Sequence, residues 1–98
     1  MFSIKITKSA RKDLTEILKY TPTEHGELQW EKYGLMIEKN FDLLSKNPSI
    51  GHKRNDVPEY CLTWPIGNHY IIYKIIDQRI FIVRVLHQKM YFINSFNQ

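Results

Sequence analysis

Lys53, Arg54, Arg84, His87 and Tyr91 are the side chains of this sequence that could do chemistry if the fold brought them together. Lysine and arginine can hold an anionic group such as a phosphate. Among the five, His87 is the side-chain type that titrates near neutrality unperturbed, which makes it the candidate proton donor or acceptor. Each residue also has an ordinary use. Arg54 and Arg84 can pair with carboxylates such as Asp56 or Asp77, and that reading is the stronger. No catalytic residue is therefore assigned. His69 is expected to be a satisfied residue at the start of a strand. His25 and His52 lie in polar contexts that suggest nothing specific. No His or Cys spacing matches a metal site, and the single cysteine, Cys61, weakens a zinc reading further. No metal and no cofactor are expected. Cys61 cannot form an internal disulfide and, beside apolar neighbours, is expected to fill core.

These residues need elements to carry them. Phe2, Ile4 and Ile6 alternate with Ser3, Lys5 and Thr7, a strand with one wet face. Thr7 or Ser9 can cap a helix, with Asp13 in its first turns complementing the dipole. Ala10, Leu14, Ile17 and Leu18 form its apolar stripe. Thr21-Pro22 is expected to end it, because a residue before proline is pushed out of the α region. A longer helix follows from Thr23 or Glu24 to about Ser45, with Tyr33, Ile37, Phe41 and Leu44 inward and Trp30 and Met36 flanking. Gly26 delays its regular start by a turn. Gly34 inside it suggests close approach to the preceding helix, and the short connection makes the two antiparallel.

Residues 47–51 are a stop and turn, and 52–59 a loop or irregular edge. Residues 61–64 form a short strand closed by Pro65 and Gly67. Residues 70–76 form a stronger one, 77–79 a hairpin turn, and 80–87 the strongest strand. The expected fold is α+β: an N-terminal strand, an antiparallel helical hairpin, then a three-stranded antiparallel sheet. The tail from Gln88 to Gln98 is too apolar for a free tail and should form a short docked helix.

The last two strands are apolar on both faces. Ile71, Tyr73 and Ile75 share one side, and Tyr70, Ile72 and Ile76 the other with Lys74. Likewise Phe81, Val83 and Val85 oppose Ile80, Ile82 and Leu86 with Arg84. A sheet with helices on one side alone should alternate cleanly. Either the tail or a partner must cover the second face.

A chain of 98 residues is a single-domain length, and 43% hydrophobic residues exclude disorder for its body. Fourteen Lys and Arg against ten Asp and Glu make it mildly basic, with the positives spread along the chain. Direct nucleic-acid binding is not expected. Of the aromatics, Phe41, Tyr73 and Phe81 fall at core phases. Trp64, Tyr60 and Tyr91 are better candidates for an exposed contact, more for packing or protein than for bases. The N-terminus lacks the apolar core of a signal peptide, and no apolar stretch reaches the ~20 residues of a membrane span. No membrane association and a cytoplasmic location are expected.

Four segments, in this order and spacing, resemble ParE toxins of the ParE/RelE superfamily, the toxin halves of bacterial type II toxin–antitoxin pairs. They are Ala10-Arg11-Lys12-Asp13-Leu14, Pro48-Ser49-Ile50-Gly51-His52-Lys53-Arg54, Gly67-Asn68-His69-Tyr70-Ile71-Ile72-Tyr73-Lys74 and Arg84-Val85-Leu86-His87-Gln88-Lys89-Met90. The resemblance covers nearly the whole chain and implies one toxin domain over residues 1–98. It implies a cognate antitoxin that wraps the toxin, and DNA gyrase as the target whose inhibition blocks replication. RelE-like relatives instead cut mRNA on the ribosome without a metal. In such a nuclease a base takes the 2′-hydroxyl proton, an acid protonates the leaving 5′-oxygen and cations hold the phosphate. Lys53, Arg54, Arg84, His87 and Tyr91 would be its site. The alternatives to a gyrase inhibitor are that endonuclease and an antitoxin-binding protein that has lost toxicity. The expected partner contacts are Arg54, Trp64, His69, Arg84, His87, Lys89 and Tyr91.

Overall fold

The computed structural model describes residues 1–96, with the side chains at positions 20–30 set aside. Strand β1 (Ser3–Ile6) leads into a helical run, α1 (Lys8–Lys46). Strands β2 (Leu62–Ile66), β3 (His69–Ile76) and β4 (Arg79–His87) follow. The sheet order is β1-β4-β3-β2. β2, β3 and β4 are antiparallel neighbours, while β1 lies parallel to β4, with Ser3 opposite Arg79 and Ile6 opposite Ile82. The expected three-stranded antiparallel unit is therefore completed by the N-terminal strand into a mixed sheet.

The helical run has no break at Thr21-Pro22: its backbone is helical throughout its 39 residues. It is nevertheless not one rod. A straight helix of that length would span about 58 Å, against a longest molecular dimension of 38 Å. The Phe2 N–H also donates to the Ser45 carbonyl at 3.0 Å, and the Ser45 hydroxyl donates back to the Phe2 carbonyl. The ends of the run are thus held together, and it folds into two arms, residues 8–19 and 31–46. Ala10 of the first arm and Ile37 and Leu44 of the second enter the same core. The expected hairpin is present; Trp30 and the side chains around Pro22 and Gly26 lie outside the described residues.

Local chemistry fixes the first arm. The Thr7 hydroxyl accepts from the Ala10 N–H at 3.2 Å, capping the helix, and itself donates to the carbonyls of Ile82 and Val83. One residue thus joins helix start to β4. Asp13 does not serve the helix terminus, whose first turn holds no acid. Gly34 also differs from expectation: a Cβ there would meet nothing within 4 Å, so close helix–helix approach is not its role.

β2 continues through Pro65, which pairs with Tyr70. β2 is an edge strand, where proline's missing N–H faces outward and breaks no ladder. Its hairpin to β3 turns at Gly67, whose φ of +55° glycine adopts without strain. β3 and β4 join through Asp77 and Gln78, with Arg79 already paired to Ile76.

Ile66, Ile71, Tyr73, Ile80, Ile82 and Val85 meet the helical arms. On the other face Ile72 and Leu86 pack with Val57, Cys61 and Phe92. The tail forms a short 3-10 turn, Phe92–Ser95, and buries Phe92 completely. The centre of the second face, at Ile72 and Leu86, is therefore covered by the chain itself, while Ile76 at the end of β3 stays exposed. The expected facing of β4 changes midway. Tyr73 pairs with Ile82 but Ile72 with Arg84, leaving Val83 as an extra residue. That bulge puts Ile80, Ile82 and Val85 on the helix side and Val83 and Leu86 on the other.

Candidate functional site

The candidate residues cluster around the C-terminal half of β4, but each answers to a different neighbour. Arg84 reaches round the sheet to the first arm, where its Nε and Nη2 donate to the Asp13 carboxylate at 2.7 and 3.0 Å. The same carboxylate accepts the Val85 N–H at 3.0 Å. Asp13 thus serves three donors and ties the arm to β4. The expected partner, Asp77, has no part in this. Asp13 raises the Arg84 pKa, so the guanidinium stays charged.

Arg54 lies on the second face. It forms a two-pronged pair with Asp56 at 2.8 and 2.7 Å, one of the two carboxylates expected from the sequence. Its guanidinium carbon sits 4.3 Å from the Phe92 ring centre and 5.0 Å from that of Tyr70, in cation–π contact. The hydrogen bonds from Arg54 hold the Asp56 carboxyl below its usual range. Lys53 spends its ammonium on the Glu59 carbonyl at 2.7 Å.

His69 and His87 are brought together. They are directly opposed across β3 and β4, and their rings meet edge to face at 5.1 Å. On the far side of His69 stands Tyr33 of the second arm, whose hydroxyl shares a hydrogen bond with His69 Nδ1. Burial, then the neighbouring His87, push the His69 pKa below 6.5, against an opposing pull from Asp13. Burial also raises the Tyr33 phenol. The phenol therefore stays protonated and the imidazole neutral as they share this bond. His87 Nδ1 accepts the Lys89 N–H at 3.1 Å, which leaves the proton of its neutral form on Nε2. Tyr33, His69 and His87 stand in a row, but the two imidazoles touch edge to face rather than through a hydrogen bond, and no cation lies among them.

The remaining candidates are peripheral to that row. Trp64 donates from its indole to Asn40 at 2.9 Å and stacks on His52, so it packs rather than projects. Tyr60 is exposed beneath the Lys74 ammonium. Lys89 is exposed, and Tyr91 is 80% exposed, the best-presented aromatic of the tail. Among the described residues, no hydrogen bond, ion pair or ring contact joins any two of Lys53, Arg54, Arg84, His87 and Tyr91. No group of three or more His, Cys, Asp or Glu there could hold a metal. Burial raises the Cys61 pKa, which keeps the thiol protonated. Sequence reasoning missed Asp13 and Tyr33 as site residues. Asp13 pairs across 71 positions and Tyr33 across 36, distances at which nothing local marks a partner.

A helical hairpin on a four-stranded mixed sheet is a fold that solved chains of toxin–antitoxin systems share. The model of a family described as the ParE toxin of the type II toxin–antitoxin system parDE matches residues 4–92. The chain belongs to this ParE toxin family. Toxin ParE1 of Caulobacter vibrioides is 24% identical over 86 residues, 88% of each chain. A solved chain of the chromosomal ParDE TA system from P. aeruginosa superposes with a TM-score of 0.75 at 22% identity, covering 89% of this chain and 96% of that one. A chain of the RelBE2 toxin–antitoxin complex from Mycobacterium tuberculosis superposes at 0.61, also at 22% identity, covering 88% and 96%. These structural likenesses bear on fold.

Proposed function

We propose that this chain is a single toxin domain over residues 1–98 that inhibits DNA gyrase in the cytoplasm and is neutralised by a cognate antitoxin. The observation that carries this over RNA cleavage is the state of the two arginines. A phosphodiester-cleaving site needs cations free to meet the phosphate. Arg84 is bound to Asp13 and Arg54 to Asp56, each by two hydrogen bonds. The family match supports the toxin part of the reading. For the antitoxin, the contacts best supported by exposure are Lys89 and Tyr91, beside exposed Met90 and Ile93.

The test is a gyrase supercoiling assay run beside a translation-coupled mRNA cleavage assay. The expected result is lost supercoiling with intact mRNA. Cleavage of mRNA with normal supercoiling would overturn the reading in favour of the endonuclease, for which the paired His69 and His87 are the supporting observation. Neither effect would favour a protein that only binds its antitoxin. Under the gyrase reading, His87→Ala keeps its toxicity in a growth assay.

A further inference from the structure

Lys8, Arg11, Lys12 and Lys19 are all exposed on the first helical arm. Their spacings of three, four and eleven put them on one side of a helix with 3.6 residues per turn. Together with Ser9, Thr15 and Glu16 they line one shallow depression. Charge that is scattered in the sequence is gathered here by the fold.

This face works against the helix that carries it. A helix N-terminus is the positive end of the backbone dipole and favours carboxylates, yet the first turn holds none. Lys8 stands one turn from both Arg11 and Lys12, where like charges repel. The four cations are also unneutralised. Lys46 pairs with Asp42, Arg54 with Asp56 and Arg84 with Asp13, whereas among the described residues exposed Lys5, Lys32, Lys39, Arg79 and Lys89 are as unpaired as these four, so it is the gathering of four cations on one side that sets this arm apart. Of the arm's own acids, Asp13 is bound to Arg84 and Val85, and Glu16, at the rim of the depression, forms no ion pair with the four. Among the described residues none of the four has a side-chain hydrogen-bond or ion-pair partner. A segment that gives up local stability to collect unpaired charge is shaped for a ligand of the opposite sign.

We infer that this face is a binding surface for the phosphate backbone of duplex DNA. The depression has no apolar or aromatic side chain. An acidic protein segment needs apolar anchors, because exposed ion pairs alone contribute little. Single-stranded nucleic acid needs rings on which its bases stack. A duplex backbone needs neither, since release of its condensed counterions supplies the affinity. The Ser9 hydroxyl adds a neutral donor between the cations, while that of Thr15 is spent on the Arg11 carbonyl at 2.9 Å. The choice of duplex DNA as the polyanion rests on the gyrase reading above, because gyrase holds such a duplex.

The test is fluorescence anisotropy of a labelled duplex of about 20 base pairs, titrated with the full chain at about 50 to 200 mM salt. Four phosphate contacts give a slope of log affinity against log salt of about −3.6. Lys8→Ala, Arg11→Ala, Lys12→Ala and Lys19→Ala each flatten that slope by about one. Lys8→Glu binds more weakly than Lys8→Ala at about 150 mM salt, yet its unfolding temperature rises by about 2–4 °C because a carboxylate suits the first helical turn. Absence of duplex binding at low salt, or a slope untouched by these substitutions, overturns the inference. So does equal competition by polyglutamate, which would point to an acidic protein. A chain that binds duplex but leaves gyrase active sinks the gyrase reading alone; one that inhibits gyrase without binding bare duplex sinks this inference alone.

Discussion

On one face of the sheet, Ile71, Tyr73, Ile80, Ile82 and Val85 lie under both arms of α1, which bring Ala10, Ile37 and Leu44 down onto them. On the other face, Ile72 and Leu86 lie under a loop and a tail, which bring Val57, Cys61 and Phe92. The first cover is regular, wide and tied to the sheet at both ends by Thr7 and Ser45. The second depends on one fully buried ring and the arginine stacked on it. The centre of each face is dry, but the second has the smaller cover. What stays exposed on the second side is the rim of the plug, Met90, Tyr91 and Ile93, together with Ile76 at the end of β3.

Substitutions separate the two covers. Phe92→Ala should have the largest effect, about 3–5 kcal/mol lost in urea unfolding. A loss below about 1 kcal/mol would mean that the second face does not need the tail. Asp13→Ala comes next, at about 2–3 kcal/mol, because it strands Arg84 and the Val85 N–H at the joint between arm and sheet. The same urea experiment reads it, and a cost no greater than that of an exposed surface change would show the joint to be ornamental. Gly34→Ala should act in the opposite direction. With open space at its Cβ, alanine should add about 0.5–1 kcal/mol to the first cover; a destabilised variant would restore the idea of close arm packing.

The smallest effect is one of sign and comes from His69. Its folded pKa is held below the ordinary 6.5, so the folded state prefers the neutral ring. The stability this gives is fully present above the unfolded pKa and is lost as pH falls through the depressed folded value. Thermal unfolding followed from about pH 7 down to pH 5 should therefore show a loss in the parent chain that His69→Gln reduces. An identical acid loss in both proteins would assign it to other groups.

Much of this frame was legible in the sequence because it repeats locally. Alternation in Phe2, Ile4 and Ile6 announced β1, and Thr7 was one of the two caps, with Ser9, that could start α1. The Asp56 partner of Arg54 was readable because it lies only two positions away. What was not legible depends on distance or on backbone geometry. Val83 carries no mark of the bulge that reverses the facing of β4. Pro65 looked like a stop because its edge position could not be seen. Asp13 looked like a dipole partner because Arg84 lies 71 positions away. The candidate site suffered most, since every one of its decisive pairings except Arg54–Asp56, Lys53–Glu59 and His87–Lys89 crosses between elements.

The position of β4 has a consequence for synthesis. It is the inner strand on which both β1 and β3 are laid, yet it comes near the end of the chain. The hydrogen bond from Thr7 to Ile82 closes over 75 positions. A nascent chain lacking residues 79–87 leaves β1 with no strand to lie beside and both arms with only part of a sheet to bury. Contacts of such long range form slowly and late. A truncated product, or one still emerging from the ribosome, thus lacks the framework on which both arms pack until residues 79–87 have been made.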